Sequence, residues 1–518
     1  MRRTVAVLTC LVAILGVLAP AAFAQAPAPK VTIVGLFDQV TSTGRNIYDG
    51  DFSRSSEREW YARTRFRPDF FFEVGRTKAV LGLEIDLNYG QTTANDGGFP
   101  ANVTGAGCGK AGNNGCLDTN TDVGGMIEIK WMYTEFDLTG KDSLMPFIPV
   151  PTVARIGGQP YSTLANYKVV YANGDFAGFS AVTTFAPNLS TKVAYVQVED
   201  EIAGSNRVAR TAVNRRGNDS ALIFSAEISP FKGLDIKPLY SYFYADGATA
   251  GAARRTIANQ QGAVAPTQEH RHTIGVDARW RSGPFSLDPT LMFQFGEKTQ
   301  RLATNEYINA DIKALLADVI FGFQLGPLLL EARGAWSPGN ESNDDLRGKI
   351  RYFEPLNLDT GYYAGWAAIF ALGIDYFNGG GGTMQSMSTN IGYDRYGRRQ
   401  LGFRATYSLT PELSFTGIVS PTWTDEKVDT DTAIAAGGAS RTAPVAATNG
   451  GDSRYLGTEV DLGMTWRFAP NTVFDLQGAY LFAGGALDTR QAVTGGPGTQ
   501  RFDSENGWTI AARVRLSF

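Results

Sequence analysis

From Arg58 to Val74 the chain reads REWYARTRFRPDFFFEV, and no other stretch narrows the possible folds as much. Arg63, Arg65 and Arg67 recur at every second residue inside an otherwise aromatic, apolar run. On an extended strand successive side chains point to opposite faces. Trp60, Ala62, Thr64, Phe66, Phe70 and Phe72 therefore share one side, and Tyr61 and the arginines share the other. A soluble sheet resting on a core accommodates one such strand. The deciding question is whether the pattern recurs.

It recurs along the whole chain. In HTIGVDARWR, His272, Ile274, Val276, Ala278 and Trp280 oppose Thr273, Gly275, Asp277, Arg279 and Arg281. In ALLADVIFGFQL, Leu315, Ala317, Val319, Phe321, Phe323 and Leu325 oppose Leu316, Asp318, Ile320, Gly322 and Gln324. In YLGTEVDLGMTWRF the polar face carries Glu459, Asp461, Thr465 and Arg467. Tight turns sit at GRTK (Gly75), GKDS (Gly140), PNLS (Pro187), KGLD (Lys232), SGP (Ser282), GP (Gly326), TPEL (Thr410) and PN (Pro470). Between them lie loops of unequal length at 41–56, 92–123, 159–177, 202–219, 247–269, 298–311, 337–398, 425–453 and 486–506. About eighteen strands result, with short connections on one rim and long ones on the other. That sorting is the signature of a membrane barrel, with short periplasmic turns and long extracellular loops.

The reading is therefore all-β: a single transmembrane antiparallel β-barrel over 25–518, with lipid taking the apolar faces and a wet lumen the charged ones. Trp60, Trp131, Trp280, Trp336, Trp423, Trp466 and Trp508 are expected on the outward face near strand ends, as interfacial girdles. Composition agrees: Gly is abundant (59) and only 19 % of residues are charged. Residues 1–24 read as a signal peptide, with Arg2 and Arg3, an apolar stretch from Val5 to Leu18 and an Ala22-Phe23-Ala24 cleavage box. Its removal takes the formal charge from -4 to about -6, so a nucleic-acid partner is not expected. Cys108 and Cys116, in CGKAGNNGC, read as a disulfide stapling an exposed loop of an exported protein.

The last strand, GWTIAARVRLSF, alternates Trp508, Ile510, Ala512, Val514, Leu516 and Phe518 against Thr509, Ala511, Arg513, Arg515 and Ser517. Here the chain resembles Gram-negative outer-membrane proteins of the porin superfamily, which finish in an amphipathic strand with a terminal aromatic read by the barrel-assembly machinery. The resemblance implies residence in the cell outer membrane, contact with its lipid and lipopolysaccharide, Phe518 as the assembly signal, and a homotrimer or a monomer as the assembled state. Barrels of this strand number leave an aqueous channel unless plugged. Loop 159–177, with its Gly174-Asp175 pair, is similar to the constriction loop of general porins, which implies eyelet roles for Tyr161, Tyr167, Lys168, Tyr171 and Asp175. That family's fuller acidic motif is absent.

Closing the ring places Arg513 and Arg515 about 10 Å from the Arg63, Arg65 and Arg67 row. Arg404 and Arg467 extend the same wall, so seven guanidiniums form a candidate permeation surface for small anionic solutes. The competing view treats them as wall residues neutralised by Glu84, Asp86, Glu128, Glu331, Glu459, Asp461 and Asp475. A second, patchy resemblance is to alginate-export barrels, carried by the alternating arginines, RIGGQPY with GDFAGF, and ALGIDYF; it implies an anionic polysaccharide as cargo. An outer-membrane enzyme is the rival of another class. His270 and His272, the only histidines, alternate to the outward face, so no catalytic residue is assigned, and no cofactor or metal is expected. NESNDD at Asn340 reads as a solvated acidic loop or a calcium loop. Loop 337–398 contains DTGYYAGWAAIFALGIDYFNGGGG, which is too apolar for a solvated loop. It reads as a segment tucked into the mouth, a protomer contact or an extra hairpin.

Overall fold

A computed structural model describes residues 28–47, 52–53, 58–89, 125–162, 171–201, 217–246, 263–302, 307–344, 348–358, 363, 365–371, 374, 391–432, 450–492 and 498–518. Cys108, Cys116, Tyr167, Lys168 and the expected signal segment lie outside them.

The strands follow one another as β1 (Lys30–Arg45), β2 (Arg58–Val74), β3 (Thr77–Tyr89), β4 (Gly125–Thr139), β5 (Thr152–Ser162), β6 (Ala172–Ala186), β7 (Leu189–Glu201) and β8 (Gly217–Phe231). Next come β9 (Leu234–Asp246), β10 (Ala263–Ser282), β11 (Phe285–Leu302), β12 (Tyr307–Leu325), β13 (Leu328–Ser337), β14 (Lys349–Ile350) and β15 (Asn357–Leu358). The series ends with β16 (Arg398–Ser408), β17 (Leu413–Val428), β18 (Ser453–Ala469), β19 (Thr472–Ala483), β20 (Thr489–Ala492), β21 (Thr499–Phe502) and β22 (Gly507–Ser517). Twenty strands form one sheet, and β20 with β21 form a separate hairpin. Within the sheet β14 and β15 are two-residue pieces of the long connection. The other eighteen pair antiparallel in chain order, and the ring closes where β22 pairs with β1, from Leu36 opposite Ser517 to Arg45 opposite Trp508. Closure leaves no unpaired edge to recruit other chains.

Local chemistry sets this geometry. Six two-residue turns and one of four residues (409–412) join strands on one rim, where Gly283 (φ 55) and Asn471 (φ 56) take the left-handed backbone that tight hairpins require. The GKDS turn is wider than the sequence suggests: β4 and β5 are joined through residues 140–151, closed by the Gly140 N–H donating to the Ile148 carbonyl at 2.8 Å. Long connections occupy the opposite rim, taken as extracellular.

The two faces differ as alternation predicts. Outward Ile33, Phe37, Phe72, Val319, Phe403, Leu462, Ile510 and Leu516 are exposed, while inward Asp38, Arg63, Arg65, Asp318, Arg333, Glu459 and Asp461 are buried. Hydrocarbon is the environment in which that exposed wall is stable, so the barrel sits in a bilayer, in the outer membrane. Trp60 and Trp336 mark one edge of the wall, and Trp280 and Trp466 the other.

Trp131 departs from the girdle. Leu83 pairs with Ile129 but Gly82 pairs with Trp131, so a β-bulge at Lys130 inserts one residue and reverses the alternation. Ile129 and Met132 are exposed outside. The Trp131 indole turns inward, donating to Asp175 Oδ1 at 2.6 Å.

Candidate functional site

The barrel seam gathers the arginines more tightly than strand spacing alone suggests. Asp38 stands opposite Arg65 on one side and opposite Arg515 on the other. Its carboxylate lies 3.6 Å from Arg63, 3.8 Å from Arg513 and 2.8 Å from Arg515. Arg513 also holds Asp475 at 2.6 Å. Three guanidiniums thus share two carboxylates. Next to them Glu84 serves Arg65 at 2.6 Å, Arg67 at 3.1 Å and Lys130 at 3.6 Å, and Lys130 reaches Asp175 at 3.2 Å. Asp69 adds a further inward carboxylate near Arg67. Neighbouring cations and anions of this kind offset the cost of taking each charge out of water.

The row divides by depth. Arg63 and Arg65, nearer the extracellular rim, keep side-chain exposures of only 0 % and 4 %, whereas Arg67, Arg513 and Arg515 keep 25 %, 19 % and 34 %. Arg404 pairs with Glu331 at 2.7 Å and Arg467 is exposed near the periplasmic rim. Of the carboxylates expected to neutralise this wall, Glu84, Glu331 and Asp475 hold arginines. The side chains of Asp86 and Glu128 are outside the described residues. Asp38 escaped sequence reading, because a single acid within KVTIVGLFDQV gives no local sign that it sits at a seam.

Two segments run inward from the wall. The first is the tip of the β5–β6 hairpin. These strands pair with each other out to Ser162 opposite Asn173, but β4 pairs with β5 only as far as Gly158, and β7 pairs with β6 only from Ala177. Beyond those points the hairpin leaves the wall and crosses the interior. The Tyr171 hydroxyl donates to Ser241 Oγ on β9 at 2.9 Å. The buried Tyr161 ring lies 3.9 Å beneath the Lys192 ammonium. Tyr161, Tyr171 and Asp175 are thus brought into the lumen. Among the described residues no carboxylate pairs with Lys192.

The second excursion is the connection from β13 to β16. It starts at the rim, where Asn340 is held by the Lys349 carbonyl, Asp344 and the Arg351 N–H, and where β14 lies parallel to β12. It then reaches Glu354, which pairs with Arg271 at 2.8 Å, and β15 adds in parallel to the tip of β6. Returning, it stacks Tyr363 on Arg333 at 4.1 Å and Trp366 on Arg404 at 4.2 Å. The N–H groups of Ala368, Ile369 and Phe370 then donate to the Glu459 carboxylate at 2.5, 2.5 and 2.9 Å, and Ala368 also to Asp461 at 3.0 Å. Among the described residues Glu459 and Asp461 therefore anchor a backbone and not a cation. Gly402 permits the close approach: a Cβ there would lie 2.9 Å from the Trp366 ring. Apolar wall residues such as Phe243, Met292 and Leu316 pack into the same cluster as Phe353, Trp366 and Phe370. The upper lumen is a packed core, and the lower lumen keeps its exposed charges.

The histidines are remote from all of this. His270 and His272 lie on the outside of β10, hydrogen-bonded through Nδ1 to Tyr242 at 2.7 Å and Tyr240 at 2.9 Å.

Closed ring, greasy exterior, partly occluded and charged interior: these define a transmembrane β-barrel with a charged lumen. The sequence matches no protein-family model, and no curated protein matches it. Among solved structures, the chain is similar to the outer membrane protein OpdK from Pseudomonas aeruginosa (10 % identity, covering 93 % of this chain and 98 % of that one, TM-score 0.46). It is also similar to OccK8 (OprE) of Pseudomonas aeruginosa (12 %, 95 % and 98 %, TM-score 0.47) and to OccAB3 of Acinetobacter baumannii (10 %, 95 % and 100 %, TM-score 0.45). Likenesses this distant carry no residue role across.

Proposed function

We propose that the protein is an outer-membrane porin that lets small hydrophilic anions diffuse through its lumen. The carrying observation is the seam cluster, where Arg63, Arg513 and Arg515 share Asp38 and Asp475 and the two arginines of β22 remain partly exposed. Arg513 and Arg515 face a confined column of water, where their field is focused. Arg467 adds an exposed cation near the periplasmic rim. Tyr161, Tyr171 and Asp175, with the segment around Trp366, act as the constriction, so a solute threads past aromatic rings before meeting the lower cations. The test is planar-bilayer recording with the purified protein in a KCl gradient. A conducting pore whose reversal potential reports chloride preference is expected. Cation selectivity, or no conductance at all, overturns the reading.

A further inference from the structure

The outer wall carries a site of its own. Register places Trp336 of β13 opposite Arg399 of β16, and Arg399 opposite Trp423 of β17, so an arginine stands between two tryptophans in one transverse row. All three are on the lipid side. Trp336 lies eight residues beyond Leu328, the first residue of β13, which on a tilted strand is about 20 Å above the periplasmic turns. An apolar band is about 25 Å tall, so the row sits at its extracellular edge, the level of lipid headgroups. Arg399 is fixed there: its Nε donates to Asp425 at 2.7 Å, and the same carboxylate accepts the Trp336 indole N–H at 2.9 Å and the Gly339 N–H at 3.2 Å. The Asp425 side chain is 8 % exposed and the Arg399 side chain 56 %, so the pair presents its positive member outward.

Directly toward the membrane centre lies a groove of about 650 Å³ whose walls include Ala317, Val319, Gly334 and Leu401 beside the two tryptophans. Gly334 is not demanded by the backbone there. A Cβ would find only Leu401 Cδ2 at 3.8 Å and Val319 Cγ1 at 4.0 Å. Small residues hollow the wall beneath a headgroup-level cation.

We infer that this groove holds a phosphorylated glycolipid of the outer leaflet, with one acyl chain in the hollow and a phosphate on the terminal nitrogens of Arg399. Hydrocarbon in the groove gains little over hydrocarbon in the bilayer, because lipid tails are as apolar as the wall. Selectivity must come from the charge-assisted contact to phosphate, for which a guanidinium is suited. The extracellular level of the row assigns the occupant to the outer leaflet. The inference rests on the outer-membrane placement and not on ion permeation.

Native mass spectrometry of the full, delipidated chain titrated with bisphosphorylated lipid A tests it. One tightly retained equivalent is expected. Arg399→Gln should weaken retention about tenfold to a hundredfold, the cost of a hydrogen bond to a charged group. Gly334→Leu should weaken it similarly by filling the groove with the charge intact. Both variants should conduct ions like the parent, since the row faces away from the lumen, and a parent that binds lipid A without conducting would sink the porin reading alone. Unchanged retention in both variants overturns the site. Phosphatidylglycerol binding as tightly as lipid A would assign the groove to phospholipid, and dimers abolished by Gly334→Leu would assign it to a second copy of the chain.

Discussion

The upper and lower halves of the lumen hold the same residue types on the same strand faces and use them differently. Arg63, Arg65 and Arg271 near the extracellular rim and Arg333 at mid-height are buried, and of these Arg271 and Arg333 meet the inward segments directly, through Glu354 and Tyr363. Lower down Arg67 and Arg515 keep water contact on one side. A lumenal arginine is therefore an anchor where it is covered and a field source where it is bare. Sequence period alone assigns the face but not the cover.

The sharpest break of this comparison is Asp38→Asn, which removes the carboxylate common to Arg63, Arg513 and Arg515. A loss of about 3 to 5 kcal/mol is expected, as for a buried charge stripped of its partner. Urea unfolding of vesicle-inserted protein, followed by tryptophan fluorescence, reads it; the exposed Lys313 and Asp311 pair should by contrast contribute below about 1 kcal/mol. Next comes Glu459→Gln. Weakening each N–H bond from Ala368, Ile369 and Phe370 costs about 1.5 to 3 kcal/mol of anchoring, so single-channel records should show larger and noisier currents. Unaltered traces would mean that this segment does not narrow the path. Third, the double variant Arg67→Gln with Arg515→Gln should move the reversal potential toward zero, most clearly at low salt where screening is weak. Arg63→Met should leave that potential alone while lowering stability.

The smallest effect concerns pH. Asp452, outside the spanning strands, is pushed up by partial burial but more strongly pulled down by hydrogen bonds from Thr430 and by Arg501, so it stays ionised below the usual carboxylate range. A depressed carboxylate stabilises the folded state above its ordinary pKa, and this contribution fades as pH drops through the lowered value. The clasp between residue 430 and β21 should thus loosen only below about pH 4, by less than about 1 kcal/mol because the pair is solvent-screened. Hydrogen exchange of the Thr430 amide across that range checks it.

Much of the barrel was legible from period and punctuation. Arg63, Arg65 and Arg67 alternate with Trp60 and Phe66, and β22 repeats the rule down to Phe518, whose backbone pairs with Gly35 on β1 in both directions, at 2.9 and 3.0 Å. Trp131 was misassigned because a bulge at Lys130 shifts the alternation by one, and nothing in EIKWMY announces a bulge. Contacts across the interior were illegible for a different reason. Tyr171 meets Ser241 from 70 residues away, and Glu459 meets Ile369 from 90, pairings fixed by where the ring brings its strands. The excess of apolar residues in 337–398 did signal that this connection needs a partner surface, but not which strands supply it.

Gly402 shows how such a surface can be adjusted. Its missing side chain is the seat against which the Trp366 ring rests, so one methyl there would act as a wedge under the indole, tilting it off the Arg404 guanidinium on which it stacks. The calibre of the passage and the setting of one of its guanidiniums are therefore coupled through a single aromatic ring.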